Sequence, residues 1–175
     1  ISSLRLTFGE HLLSETNRFR LEIEDRSDLE GLPENCIETA KILAKKEGKR
    51  GWLFTLDYPS YVPFMTYAKN RALRKKMALA FGKKGFQNDA FDNQLLLLKI
   101  VKLRHQRARL LGYKTHADYV LEERMAKSPE TVLSFLEDFK SKAMPAAQRE
   151  FSELSKFAKE LDGIETLQKW DSAYY

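Results

Sequence analysis

Three histidines, one cysteine and a few serines are the side chains in this chain best suited to chemistry. His11, His105 and His116 offer imidazoles for metal ligation or proton transfer. None of them sits in an H-E-x-x-H motif, the spacing that places two rings on one helix face for zinc. His105 and His116 are separated by Gly112 and fall on different predicted elements, so structural, hydrogen-bonded roles are expected. Cys36 has no histidine at an activating spacing and is expected to be a buried or idle thiol. Ser2, Ser3, Ser14 and Ser60 belong to no G-x-S-x-G elbow. Gly82-Lys-Lys-Gly85 is too short for a phosphate-cradling loop, and it follows a helix instead of opening one. On these residues the chain carries no complete active site. No catalytic residue, no cofactor-binding residue and no metal ligand is assigned within 1–175.

The charge is uneven. Lys and Arg against Asp and Glu number 9 to 11 over residues 1–68, 15 to 5 over 69–128 and 6 to 9 over 129–175. The middle third is a basic block that could attract phosphates or acidic partners. Its two runs, Lys69 to Lys84 and Lys99 to Arg109, have Phe86 and Phe91 between them. They make a helical nucleic-acid-binding module, using the stretch 69–109, the alternative reading of function. A solvated helix face explains the same charges, and nucleic acid is not the expected partner. No apolar run reaches the length of a membrane span. The single cysteine excludes an internal disulfide and fits a reducing, cytoplasmic compartment, with a periplasmic one as the alternative.

The elements that must position these side chains are mostly helical. Leu4, Phe8 and Leu12 predict a helix over 2–16, ended by Glu15-Thr16-Asn17. Phe19, Leu21 and Ile23 alternate with charged residues and predict a half-buried strand. Its expected partner is Trp52-Leu-Phe-Thr-Leu56, the most confident strand, with the relative direction open. Between them a helix with the stripe Ile37, Ala40, Leu43 and Ala44 is expected after Pro33. Pro59 and Pro63 predict an irregular corner after the second strand. A helix over 67–81 follows, with Leu73, Met77 and Phe81 on one side, and another from about Asp92 to Leu111. The second has Leu95, Leu96, Ile100, Leu103 and Leu110 as its apolar face and Gly112 as its left-handed cap. Thr115 is expected to cap a short helix. Ser128-Pro129-Glu130 opens a long helix toward Leu161 that Pro145 should kink or split. Leu167 to Tyr175 reads as the start of a further helix. The predicted fold class is mainly α (α+β), a bundle-like helical segment with one small two-stranded sheet.

Four blocks carry a resemblance. They are Glu15-Thr16-Asn17-x-Phe19 with Asp28-Leu-x-Gly-Leu-Pro33, and Phe54-Thr-Leu-Asp-Tyr-Pro-x-Tyr-x-Pro-Phe64. The third is Leu103-Arg104 with Leu110-Leu-Gly-Tyr-x-Thr-His-Ala-Asp-Tyr-Val-Leu121 and Met125-Ala-Lys127. The last is Trp170-Asp171-x2-Tyr174-Tyr175. In this order they resemble the thimet-oligopeptidase family of zinc metallopeptidases, and within it the peptidyl-dipeptidase (dipeptidyl carboxypeptidase) branch. The resemblance implies a larger zincin-type helical peptidase with a narrow channel for short peptides. A zinc held by H-E-x-x-H and a further Glu would activate water there, and dipeptides would leave from free C-termini. H-E-x-x-H is absent from these residues, and in the family it lies downstream of the Trp-Asp-x-x-Tyr-Tyr block. The expectation is therefore a single segment, 1–175, from the N-terminal portion of the catalytic region, cut before the zinc helix. Zn2+ and short peptide substrates belong to the parent protein. The segment itself is expected to be inactive, to supply structure and channel wall, to meet no membrane, and to self-associate through exposed apolar surface. The Tyr58-to-Tyr61 corner and the Trp170-to-Tyr175 piece are expected to lie nearer the channel than the rest.

Overall fold

Strands β1 (Leu21–Ile23) and β2 (Trp52–Phe54) pair antiparallel, with Leu21 opposite Phe54 and Ile23 opposite Trp52, in a computed structural model describing residues 1–175. The two strands form the entire sheet. Gly51 makes the pairing possible. Its φ of +68 suits glycine, and a Cβ there would lie 2.1 Å from the Ile23 carbonyl oxygen. Seven helices complete the fold: α1 (Ser2–Arg18), α2 (Glu34–Lys46), α3 (Tyr58–Tyr67), α4 (Arg71–Gly82), α5 (Gln94–Leu110), α6 (His116–Leu121) and α7 (Pro129–Asp162). A 3-10 turn, Arg26–Leu29, occupies part of the loop expected after β1. The mainly helical class with one small sheet is what the periodicities predict.

The core lies where the sheet meets α2, α3 and α4. Leu21, Ile23, Leu29, Leu32, Ala40, Phe54, Leu56, Phe64, Met65, Ala68 and Met77 form one buried cluster. Phe54 and Phe64 meet edge to face at 4.8 Å between ring centroids. The Pro-rich corner is not irregular: Tyr58–Tyr67 is a helix with Pro59 in its first turn and Pro63 inside it. Pro59 removes no bond, because first-turn N–H groups have no intrahelical partner. Pro63 removes one, and its fixed φ is already helical. Burying Phe64 and Met65, each side chain stabilising by about 1.5–3 kcal/mol, offsets that loss.

Other expectations also change. The helix over 67–81 is broken at Ala68–Asn70. α4 starts at Arg71, with the Asn70 side chain accepting from Leu73 N–H at 3.1 Å. α5 packs through Leu96, Ile100, Leu103 and Ala108, whereas Leu95 and Leu110 are 81% and 88% exposed. Leu95 lies one residue, about 100°, from Leu96, so both cannot face α1. α7 is not split: it runs unbroken through Pro145, and Ala158 is its only buried residue. Leu167–Tyr175 is a series of turns and not a helix. The caps are as read: Gly112 is left-handed at φ +85, Thr115 and Asp118 form a capping box, and Ser128 accepts from Thr131 N–H.

Candidate functional site

The single turn of α4 that carries Arg71 and Arg74 gathers the most chemistry-bearing groups in the chain. Asp171, from the Trp170–Tyr175 turns, lies against it with no exposed side-chain surface. Arg71 donates Nε to Oδ1 at 2.9 Å and Nη2 to Oδ2 at 2.7 Å, a bidentate fork. Arg74 Nη2 reaches Oδ1 at 3.3 Å, and the Gln168 N–H donates to Oδ2 at 2.9 Å. Arg74 is itself 1% exposed and also donates to the carbonyls of Ala68, Lys69 and Trp170. Its guanidinium sits 3.9 Å from the centre of the Tyr174 ring. Lys75 Nζ lies 5.2 Å from the Trp170 ring centre. Burial alone would raise the Asp171 carboxyl. The Arg71 hydrogen bonds, the Gln168 amide and Arg74 outweigh it and hold the group below the usual carboxylate range. A carboxylate so fully accepted has no capacity as a general base. It is a tie, and it fixes the Trp-Asp-x-x-Tyr-Tyr block to α4. Burial, then the hydrogen bond its hydroxyl donates to Asp162 Oδ2 at 2.8 Å, push Tyr175 up to about 12.

The other blocks prove to be ties as well. Glu15 is buried between Gln87 and Arg18, which approaches at 2.5 Å. Thr16 Oγ1 accepts from Lys84 Nζ at 3.2 Å. Asp28 accepts from Asn70 Nδ2 at 2.7 Å, and the Glu30 carbonyl accepts from Lys69 N–H at 2.9 Å, holding the Asp-Leu-x-Gly-Leu-Pro loop on the α3–α4 junction. Asn93, absent from the sequence reading, is buried and joins α1 to α5. Its Nδ2 donates to the Phe8 carbonyl at 3.1 Å, and its Oδ1 pairs with His11 Nδ1 at 2.9 Å. Only its polarity at the foot of an apolar helix signalled this.

His11 is thus the hydrogen-bonded structural histidine expected. His105 is exposed. His116 departs from the expectation, because its Nδ1 is buried without a partner. Burial, then Arg104 and Arg107, lower its pKa. The three rings lie on α1, α5 and α6, and no group of three or more His, Cys, Asp or Glu is placed to hold a metal ion. Cys36 is half-buried, and burial pushes its thiol up, which suits an idle thiol rather than a nucleophile.

Cys36 does line the wall of a cleft of about 390 Å3 between α2, β2 and the start of α3. Thr55 Oγ1 donates to Asp57 Oδ2 at 3.0 Å there, and Thr55 N–H donates to Ser60 Oγ at 3.0 Å. The basic stretch 69–109 is divided by the fold. Lys69, Arg71 and Arg74 are engaged by Glu30 and Asp171. α4 packs on α3, and α5 packs on α1 and α6, so their lysines and arginines are carried on separately packed helices. No helix is long and apolar enough to cross a membrane.

Comparison with known proteins agrees with the block pattern. Oligopeptidase A of Salmonella typhimurium is 38% identical over 179 residues, covering 100% of this chain and 26% of that protein. Dipeptidyl carboxypeptidase of Escherichia coli is 29% identical over 175 residues, covering 99% of this chain and 26% of that protein. Saccharolysin of Saccharomyces cerevisiae is 31% identical over 160 residues, covering 86% and 22%. The chain therefore spans about a quarter of the length of the curated relatives it matches. The model of peptidase family M3 matches residues 64–175, from the buried Phe64 of α3 to the Asp171 tie, and the chain belongs to that family.

Proposed function

We propose that this chain is part of the catalytic region of a zinc-dependent oligopeptidase that hydrolyses short peptides, and that it contributes scaffold and channel wall instead of zinc ligands. The observation that carries this reading is the family M3 match over residues 64–175. In this reading the metal chemistry, activation of a water molecule, would be supplied by an H-E-x-x-H site outside these residues. The tie at Asp171 holds the Trp170–Tyr175 piece, which with the Tyr58-to-Tyr61 corner would lie nearer the substrate channel than the rest. A cytoplasmic compartment fits a single cysteine with an unreactive thiol.

A second reading of specificity, release of dipeptides from free C-termini, is favoured by the match to dipeptidyl carboxypeptidase over 99% of the chain. The test uses the full-length protein. A short peptide with a free carboxyl terminus and its amidated twin are incubated with it, and the products are mapped by mass spectrometry. The expected result is hydrolysis abolished by a zinc chelator and restored by zinc. Hydrolysis indifferent to chelation, or none, would sink the peptidase reading. Loss of cleavage on amidation would select dipeptide release, whereas internal cleavage of both peptides would select the oligopeptidase.

A further inference from the structure

We propose that the apolar seam of α7 is an internal packing surface, covered in the full-length protein by one amphipathic helix from outside residues 1–175 that sets a lysine or arginine opposite Glu150. The inference rests on the reading that this chain is part of a larger peptidase, and adds to it a place where the other part packs.

α7 is a helix of 34 residues, about 50 Å long at 1.5 Å per residue. It packs on α6, and near its end Phe157 meets the Tyr175 ring edge to face at 6.3 Å between centroids. Ala158 is nonetheless its only buried residue. Leu136, Phe139, Ala143, Ala146, Glu150 and Leu154 follow one another at steps of three or four, the spacing that keeps side chains on one side of a helix. Phe157 and Leu161 continue the series. Leu136, Phe139, Phe157 and Leu161 are 52%, 62%, 49% and 58% exposed. A continuous apolar surface of this length marks a place where another element packs. Ala143 and Ala146 at its middle let a second helix come close, because the side chains at the contact set the distance between helix axes. Glu150 decides the occupant. It is the one charged residue of the seam, and the ion pairs of α7 leave it free: they join Lys140 to Glu137, Lys142 to Asp138, Lys156 to Glu160 and Lys159 to Glu165. A second copy of α7 fits poorly. Antiparallel pairing about Ala146 and Ala147 sets Glu150 level with Ala143 of the other copy, and in-register parallel pairing sets it against the other Glu150. Each arrangement desolvates a carboxylate in an apolar seam with no cation opposite it. A helix of different sequence is free of that constraint. This chain covers only 26% of the oligopeptidase A and dipeptidyl carboxypeptidase that it matches, so a protein of that length carries such helices itself.

The test uses the full-length protein carrying Ala147→Cys or Ser152→Cys, at two exposed positions about 140° apart round α7. Ala147 borders the seam and Ser152 faces away from it. Labelling of each new thiol by a maleimide is followed by peptide mapping in a mass spectrometer. The expected result is severalfold slower labelling of Ala147→Cys than of Ser152→Cys, independent of protein concentration. Equal rates overturn the proposal. So does shielding that is lost on dilution, which would assign the seam to a second copy. Phe139→p-benzoylphenylalanine then identifies the cover. A photo-crosslink to a peptide outside 1–175, in a band of monomer mass, supports the proposal. A band of twice that mass, or a link only to residues within 1–175, overturns it. Glu150→Lys, which would face one cation with another, should cut the yield of the link severalfold, and an unchanged yield overturns the cation opposite Glu150. The labelling pair stands by itself should the Phe139 variant fold poorly. Shielding without zinc-dependent hydrolysis would reject the peptidase reading alone, and hydrolysis with equal labelling would reject the covered seam alone.

Discussion

Asp171→Ala should be among the most destabilising single changes in the chain. The carboxylate it removes is fully buried and accepts from Arg71, Arg74 and the Gln168 N–H. Breaking a buried ion pair by removing one partner costs about 3–5 kcal/mol, because the other charge is left stranded. The lower end applies here. The Arg71 side chain is 39% exposed and can turn to water, so only Arg74 is trapped. Arg74 keeps three carbonyl acceptors, at 2.7, 3.1 and 3.1 Å. The expected loss is therefore about 3 kcal/mol, which at a urea m-value of about 2 kcal/mol/M moves the midpoint down by about 1.5 M. Glu30→Ala removes only the solvent-exposed Lys69 pair and should leave the urea midpoint almost unchanged. Adding Arg74→Met to Asp171→Ala should recover part of the loss, since no charge is then buried alone. The folded Asp171 carboxyl lies below its unfolded value of about 3.9. Its contribution is therefore fully present above about pH 4 and is lost as pH falls through the lower folded value. The unsubstituted chain should lose stability in acid more steeply than Asp171→Ala. A loss under about 1 kcal/mol in urea melts, with no difference in acid sensitivity, would refute the claim that this tie holds the Trp170–Tyr175 turns to α4.

Three further outcomes follow from the geometry. Gly51→Ala drives a Cβ to 2.1 Å from the Ile23 carbonyl at a φ of +68, so it should cost about 2 kcal/mol or more in urea melts. Tyr175→Phe should remove the highest-pH step from an ultraviolet tyrosine titration, because that hydroxyl is held up to about 12. With its folded pKa raised, its stabilisation is present below about pH 10 and lost as pH rises through about 12. Leu95→Lys with Leu98→Lys alters exposed positions on α5, and sedimentation of the isolated chain should show less self-association, with stability changed by less than about 0.5 kcal/mol per site.

Local patterns were legible where one short stretch carries its own physics. The alternation of Leu21 and Ile23 and the apolar run at Trp52–Phe54 named both strands. Ser128, Thr115 and Gly112 named three helix boundaries, because capping is decided within four residues. The four motif blocks pointed to the peptidase family before any coordinates did. Periodicity could not choose which side of α5 or α7 is covered. An apolar residue fits several candidate faces, and the neighbour that selects one is far along the chain: Leu95 and Leu96 look equivalent until the fold half-buries Leu96 and leaves Leu95 exposed. The proline corner was misread because two prolines count against a helix locally, whereas burial of Phe64 against Phe54 is a tertiary gain. Arg71 and Arg74 looked like part of a solvated basic face. Only the fold brings Asp171 to them across 100 and 97 residues of sequence. The sequence by itself determined both strands, six of the seven helices and the family. Tertiary structure decided which charges are buried and paired and which apolar faces stay open, because each of these depends on contacts between residues that no local pattern connects.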